Sequence, residues 1–262
     1  RHMDRYTQFA VAAAKMAVAD AKLDMTKENP DMAGTLIGTG IGGIHVMEDT
    51  ILQIEKRGPG KVNPFAIPMM IANMASGQVS ITLGLRGPVL TDVTACASGT
   101  NSIGLAARLI KYGDADIMLA GGAEAAVSKA PMAGFAAMKA LSSRDCPPEE
   151  ASCPFDAGRD GFVLGEGSGV LVLEELEHAK KRGAHIYAEL AGYGSNGDAY
   201  HITAPRPGGE LAYLCMEKAL KDAHTKPEEV DYINAHGTST HLNDLNETSA
   251  IKALLGLSLI HI

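Results

Sequence analysis

The chain has 262 residues and carries 23 Lys and Arg against 31 Asp and Glu, a formal charge of −8. That length can bury a large core in one or two domains, and apolar and charged fractions of 46% and 21% exclude a disordered or membrane-embedded protein. Net negative charge without a Lys- or Arg-dense tract offers no footprint for nucleic acid or an anionic membrane surface, so neither is expected as a partner.

Taken in chain order, apolar residues at helical spacing begin near Phe9 and carry a helix over 10–21. A β-branched run at 35–39 then predicts a buried strand. Pro, Gly and charged residues cluster over 49–68 and again over 142–159, which reads as two long connections of the kind that carry sites or subunit contacts. Residues 98–111 form an Ala-, Gly- and Leu-rich helix. Residues 116–120 and 170–173 read as strands with too few polar side chains for an exposed face. A polar helix follows through 174–181 and ends at Gly183, where glycine suits a C-terminal cap. An element over 186–192, a helix over 209–223, a strand over 232–235 and a helical stretch over 250–255 complete the series. The class is α/β, one domain is the preferred count, and no internal repeat is evident.

Both ends look artificial. Arg1 stands in place of Met with a helical pattern already under way, and residues 257–262 resemble a non-native tail, as in a truncated or chimeric reading frame. Four cysteines, Cys96, Cys146, Cys153 and Cys215, show no CxxC pair or framework spacing, which fits a reducing cytoplasm. The longest apolar runs stop well short of the roughly 20 residues that span a bilayer.

Cys96 falls where a β-branched strand gives way to a helix of small residues. Unpaired amides at a helix N-terminus, with the positive end of its dipole, favour thiolate and can donate to an oxyanion, and Ala95, Ala97 and Gly99 let a substrate approach the sulfur. Position alone leaves a second reading open, a small cysteine filling a tight corner of the core. Cys215 reads as core, while Cys146 and Cys153 lie in a polar loop without histidines spaced for zinc, and no metal is expected. His236 sits at the end of the expected strand over 232–235, followed by glycine and three hydroxyl residues. Strand ends are where open α/β sheets bind ligands, and an imidazole there can donate or accept a proton. The alternative is a structural turn whose Thr and Ser cap the next helix.

Together, Val93-Thr94-Ala95-Cys96-Ala97-Ser98-Gly99, Gly161-Phe162-Val163-Leu164-Gly165-Glu166-Gly167 and Asn234-Ala235-His236-Gly237-Thr238-Ser239-Thr240 closely resemble the β-ketoacyl-ACP synthases, nearest the bacterial chain-elongating synthase II type. The likeness covers residues 1–256 and includes Gly113-Asp114-Ala115-Asp116 and Ala120-Gly121-Gly122-Ala123-Glu124. It implies the thiolase-like five-layered α-β-α-β-α fold, incomplete at both termini here, with most of the N-terminal half and the start of the C-terminal half present. It also implies a homodimer when intact, and a helix after Cys96 buried between sheets.

The resemblance further implies a two-stage condensation. An acyl chain passes from acyl carrier protein to Cys96, malonyl-ACP then loses carbon dioxide, and its carbanion attacks the thioester. His236 would stabilise the enolate electrostatically, Thr203, Thr238 and Thr240 would bind the phosphopantetheine arm, and Ile41 and Phe135 would border the acyl pocket. Glu247 matches a carboxylate that anchors the family's active-site lysine. No resident cofactor is expected, because phosphopantetheine arrives on the carrier protein. A second histidine, that lysine and a C-terminal glycine-rich loop lie outside this sequence, so the chain as written is expected not to complete condensation and not to be a stable monomer. His241, Leu245 and Cys153 depart from the family pattern at positions where local contacts, rather than chemistry, are expected to change. A polyketide ketosynthase and a non-catalytic chain-length-factor-like partner are the alternatives, and the presence of Cys96 argues against the second.

Overall fold

A computed structural model describes residues 2–256; the expected tail at 257–262 lies outside them. In chain order the elements are α1 (Arg5–Asp20), β1 (Ala33–Gly38), α2 (Ile44–Arg57), α3 (Ala66–Met70), α4 (Met74–Leu83), β2 (Val89–Leu90), α5 (Ser98–Lys111), β3 (Ile117–Ala125), α6 (Lys129–Ala137), α7 (Pro148–Ala151), β4 (Glu166–Glu174), α8 (Leu176–Lys181), α9 (Glu210–Asp222) and α10 (His241–Leu255). They fall into two compact units. One runs to Pro131 and takes in Gly165–Glu189; the other consists of Met132–Leu164 and the chain from Leu190.

In the first unit the strands form one sheet in the order β2-β1-β3-β4, with β1 parallel to both neighbours and β4 antiparallel to β3. Side chains alternate between the faces of a strand. Ile117, Leu119, Ala123 and Ala125 of β3 join Ala33 and Ile37 of β1 in a core with Tyr6, Ala10 and Ala14 of α1 and Ala75 and Val79 of α4. The intervening residues Met118 and Ala120, with Leu36 of β1, meet Ala106, Ile103 and Leu109 of α5 on the opposite face. Both faces of the central strands are covered, which is why these segments read as nearly unbroken apolar runs. The helix α5 buries Ser98, Ser102, Gly104 and Ala106 and leaves Leu105 exposed on its outer side.

In the second unit α9 begins on α10: a Cβ at Gly209 would lie 2.4 Å from the Asn246 carbonyl oxygen. The 142–159 segment is largely irregular, as expected, interrupted only by the four-residue α7.

Helix α5 spans the residues expected, α9 differs by one residue at each end, and Gly183 has the left-handed φ of +69° that a glycine cap supplies. Three expectations fail. Residues 49–68 are not one connection, because α2 continues to Arg57 and α3 starts at Ala66; charge on an exposed helix face resembles loop composition. Residues 186–192 form no regular element, and residues 232–235 are not a strand among the described residues, since a strand requires a ladder and that segment has none. The end of the first of these segments and the chain just beyond it lie against α9. A Cβ at Gly192 would come within 2.4 Å of Ala219 O, and one at Gly194 within 2.2 Å of Cys215 O.

Candidate active site

Cys96 lies in one turn of 3₁₀ helix, Ala95–Ala97, at the head of α5. Ala95 holds a φ of +52°, in the left-handed region that costs an L-residue about 1–2 kcal/mol. Neighbouring side chains enforce that conformation. The Thr94 amide donates to Ser98 Oγ (2.9 Å), and the buried Ser98 hydroxyl reaches the carbonyl oxygens of Ala95 (2.7 Å) and Thr39 (3.1 Å), donating to one at a time. Thr94 Oγ1 donates to the Asp92 carboxylate and accepts from Asn101 Nδ2 (2.8 Å). Cys96 itself is exposed among the described residues. Its sulfur therefore stands on a rigid turn at the positive end of a 14-residue helix, where developing negative charge is stabilised. Cys215 is half-buried, donates to the Gly194 carbonyl at 3.3 Å, and burial pushes its thiol pKa up, as befits a packing residue.

The loop after β1 meets the same turn. Thr39 donates its amide to Asp92 O (3.2 Å), and its carbonyl is within reach of Ser98. Its hydroxyl donates to Glu124 Oε1 (3.2 Å) and accepts from the Gly42 amide (3.1 Å). Glu124 also accepts from the amides of Gly40 (2.8 Å) and Ile41 (2.9 Å). Ile41 is exposed at the apex of this loop.

In the second unit His236 is exposed in the loop that enters α10, not at a strand end. Glu247, on α10, accepts from the backbone amides of His236 (2.6 Å) and Gly237 (2.9 Å), with Asn243 Nδ2 at 3.3 Å from the second oxygen. Its carboxylate thus fixes the histidine loop through the main chain. Thr238 and Thr240 come together, their hydroxyl oxygens 2.8 Å apart, and Thr240 also accepts from the Asn243 amide as the cap of α10. Thr203 is exposed on a turn where its amide and hydroxyl, 3.1 and 3.4 Å away, meet His201 Nδ1. Neither bond reaches Thr238 or Thr240. Phe135 packs edge-on against Phe162, with ring centroids 5.2 Å apart.

Several residues that hold this geometry carried no signal of their own in the sequence. Buried Asp244 accepts from the Phe155 amide (2.8 Å) and pairs with Arg159 (3.3 Å), which donates to the carbonyls of Thr240 (3.2 Å) and His241 (3.1 Å). Buried Ser239 accepts from the Cys153 amide (3.1 Å). These contacts clamp residues 153–159 onto the threonine loop. Glu124 had one available clue, a carboxylate in a strand of otherwise Ala, Gly and aliphatic residues, since a buried carboxylate requires partners. Among the described residues no group of three or more His, Cys, Asp or Glu side chains is arranged to hold a metal, and no helix is long and apolar enough to cross a membrane.

Residues 1–179 match the family model of the beta-ketoacyl synthase N-terminal domain, and residues 187–258 that of the C-terminal domain. Over 262 residues the chain is 53% identical to 3-oxoacyl-[acyl-carrier-protein] synthase 2 of Staphylococcus aureus, covering all of this chain and 65% of that protein. It is 56% identical over 256 residues to the synthase of the same name from Synechocystis sp., covering 98% of this chain and 62% of the relative. A solved structure of a type II polyketide acyl carrier protein in complex with its ketosynthase, bound to the hexaketide, contains a chain that superposes with a TM-score of 0.94 at 42% identity, over 98% of this chain and 64% of that one. A beta-ketoacyl synthase from Burkholderia phymatum STM815 superposes with a TM-score of 0.90 at 36% identity, over 97% of this chain and 62% of its own. The fold is thus the thiolase-like α/β fold of the ketosynthases, of which the described residues show one sheet with helices on both faces. The chain belongs to the β-ketoacyl synthase family and spans slightly less than two thirds of the length of these relatives.

Proposed function

We propose that this chain carries the nucleophile of an enzyme that elongates fatty acyl chains by decarboxylative condensation. Cys96 sulfur attacks the carbonyl of an acyl thioester on acyl carrier protein. The new thioester forms on Cys96 as the carrier's pantetheine thiol leaves with a proton. Malonyl-ACP then loses carbon dioxide, the electron pair of the broken C–C bond forms an enolate, and its carbon attacks the Cys96 thioester. The thiol is released with a β-ketoacyl-ACP two carbons longer. His236 stabilises the enolate oxygen, a role that needs a positioned donor and fits the pinning of its loop by Glu247. Thr203, Thr238 and Thr240 receive the phosphopantetheine arm, and Ile41 and Phe135 border the acyl group. No resident cofactor enters the reaction.

The observation that carries this reading is the exposed Cys96 on its strained, sheet-mounted turn. Higher identity to the two synthases 2 than to the polyketide ketosynthase chain favours fatty acid elongation over polyketide assembly. Cysteine spacing supports a cytoplasmic setting. A homodimer through the open edge of the sheet is supported by β2, whose Val89 and Leu90 are 41% and 49% exposed. Beside them runs an apolar groove of about 380 Å³ lined by Leu36, Leu105, Leu109 and Tyr112.

Incubating the chain with octanoyl-ACP and reading the intact mass tests the function. An octanoyl adduct that maps to Cys96 and vanishes in C96A is expected. An adduct unaffected by C96A, or none, overturns the proposal.

A further inference from the structure

We propose that Glu124 is a positioning residue that holds the loop bearing Ile41 against the Cys96 turn, and thereby governs how well Cys96 accepts acyl groups with a long apolar portion. The inference rests on the acyl-transfer reading above. One carboxylate satisfies three donors in sequence along this loop, the Thr39 hydroxyl and the Gly40 and Ile41 amides, from a strand more than 80 residues away. Charge-assisted bonds of this kind are the stronger ones, and three on a single acceptor leave the loop little freedom. Gly40 makes the approach feasible: a Cβ there would lie 3.0 Å from Glu124 Oε2 and 3.7 Å from both Cα and O of Ala95, the residue before Cys96. The loop is therefore wedged between the carboxylate and the nucleophile's turn. Its apex carries Ile41, an aliphatic side chain 42% exposed, on the loop that abuts the Cys96 turn through Gly40. An apolar chain there meets Ile41; an acetyl group barely reaches beyond the sulfur.

Glu124→Gln keeps the shape but replaces one accepting oxygen with a donor that cannot receive an amide. Hydrogen exchange at Gly40 and Ile41 is expected to rise about tenfold, while Ile117–Gly122 stays protected. Transfer from decanoyl-ACP to Cys96 is expected to fall about tenfold and transfer from acetyl-ACP to stay within about twofold, with iodoacetamide labelling of Cys96 unchanged. Unchanged exchange at Gly40 and Ile41, or equal slowing of both donors, overturns the proposal. Should Glu124→Gln unfold, Thr39→Val removes one of the three bonds to Glu124, together with the acceptor of the Gly42 amide, at nearly unchanged side-chain volume, and the same readings at Gly40 and Ile41 decide. If the unsubstituted chain accepts no acyl group from any donor, the acyl-transfer reading fails, and with it the selectivity assigned to Glu124; exchange at Gly40 and Ile41 then judges the anchoring alone.

Discussion

A Cβ at Gly38 would lie 2.3 Å from the Ser98 carbonyl oxygen and 2.7 Å from Ser102 Oγ, so the head of α5 can rest on β1 only while position 38 is glycine. Gly122 and Gly99 do the same on the neighbouring strand, where a Cβ at Gly122 would approach Gly99 Cα to 3.1 Å. Overpacking of this kind costs about 1–3 kcal/mol. Gly38→Ala should therefore lower stability by that amount, read as a lower urea midpoint at unchanged slope, whereas Gly60→Ala, with open space around it, should change stability by less than about 0.5 kcal/mol. Cys96 was legible as a candidate nucleophile because its signal is local: a β-branched approach, small neighbours and a helix immediately after. Its exposure was not. The contacts of Ser98 and Glu124 were equally hidden, since their partner Thr39 lies 59 and 85 residues away.

At the level of elements, the corner between β4 and α8 responds to pH. His178 lies 2.6 Å from Glu174 and 3.0 Å from Glu28, and Arg182 pairs with Glu174 (2.6 Å) while donating to the Ala21 carbonyl at the end of α1 (2.9 Å). Burial pushes the imidazole pKa down, but the Glu174 hydrogen bond and the charges of Glu28, Glu174 and Asp116 outweigh it, and the pKa is raised. Burial likewise pushes the Glu174 carboxyl up, against which Arg182 and His178 prevail, and that pKa is lowered. The raised imidazole adds stability that is complete below about pH 6.5 and lost as pH climbs through its folded value. The lowered carboxyl adds stability present above about pH 4.3 and lost as pH falls through its folded value. The corner is thus firmest between those limits. Thermal unfolding measured from about pH 5.5 to about pH 8.5 should show a falling midpoint that is flatter in His178→Gln. Helices α5 and α9 were legible because 3.6-residue periodicity and glycine caps are properties of contiguous sequence. The expected strand at 232–235 failed for the opposite reason, because a strand depends on a neighbour that no local pattern supplies.

For the molecule as a whole, the sheet edge at β2 is where the homodimer proposed above can be tested. If the proposed homodimer forms there, Leu90→Lys places a charge on the edge and should shift the chain from dimer to monomer in sedimentation, while leaving the β1–β3 ladder protected. Unchanged dimer would locate the contact elsewhere. Sequence by itself determined the α/β class, the family motifs around Cys96 and His236, and the apolar central strands, because periodicity, small-residue patterning and turn chemistry act over a few neighbouring residues. Only the tertiary structure decided that Glu247 grips the main chain of His236, that Arg159 and Asp244 clamp the threonine loop, and that Glu124 ties the Ile41 loop beside the Cys96 turn. Each of those depends on a particular donor meeting a particular acceptor across the fold, and the geometry that joins them exists only once the elements have packed.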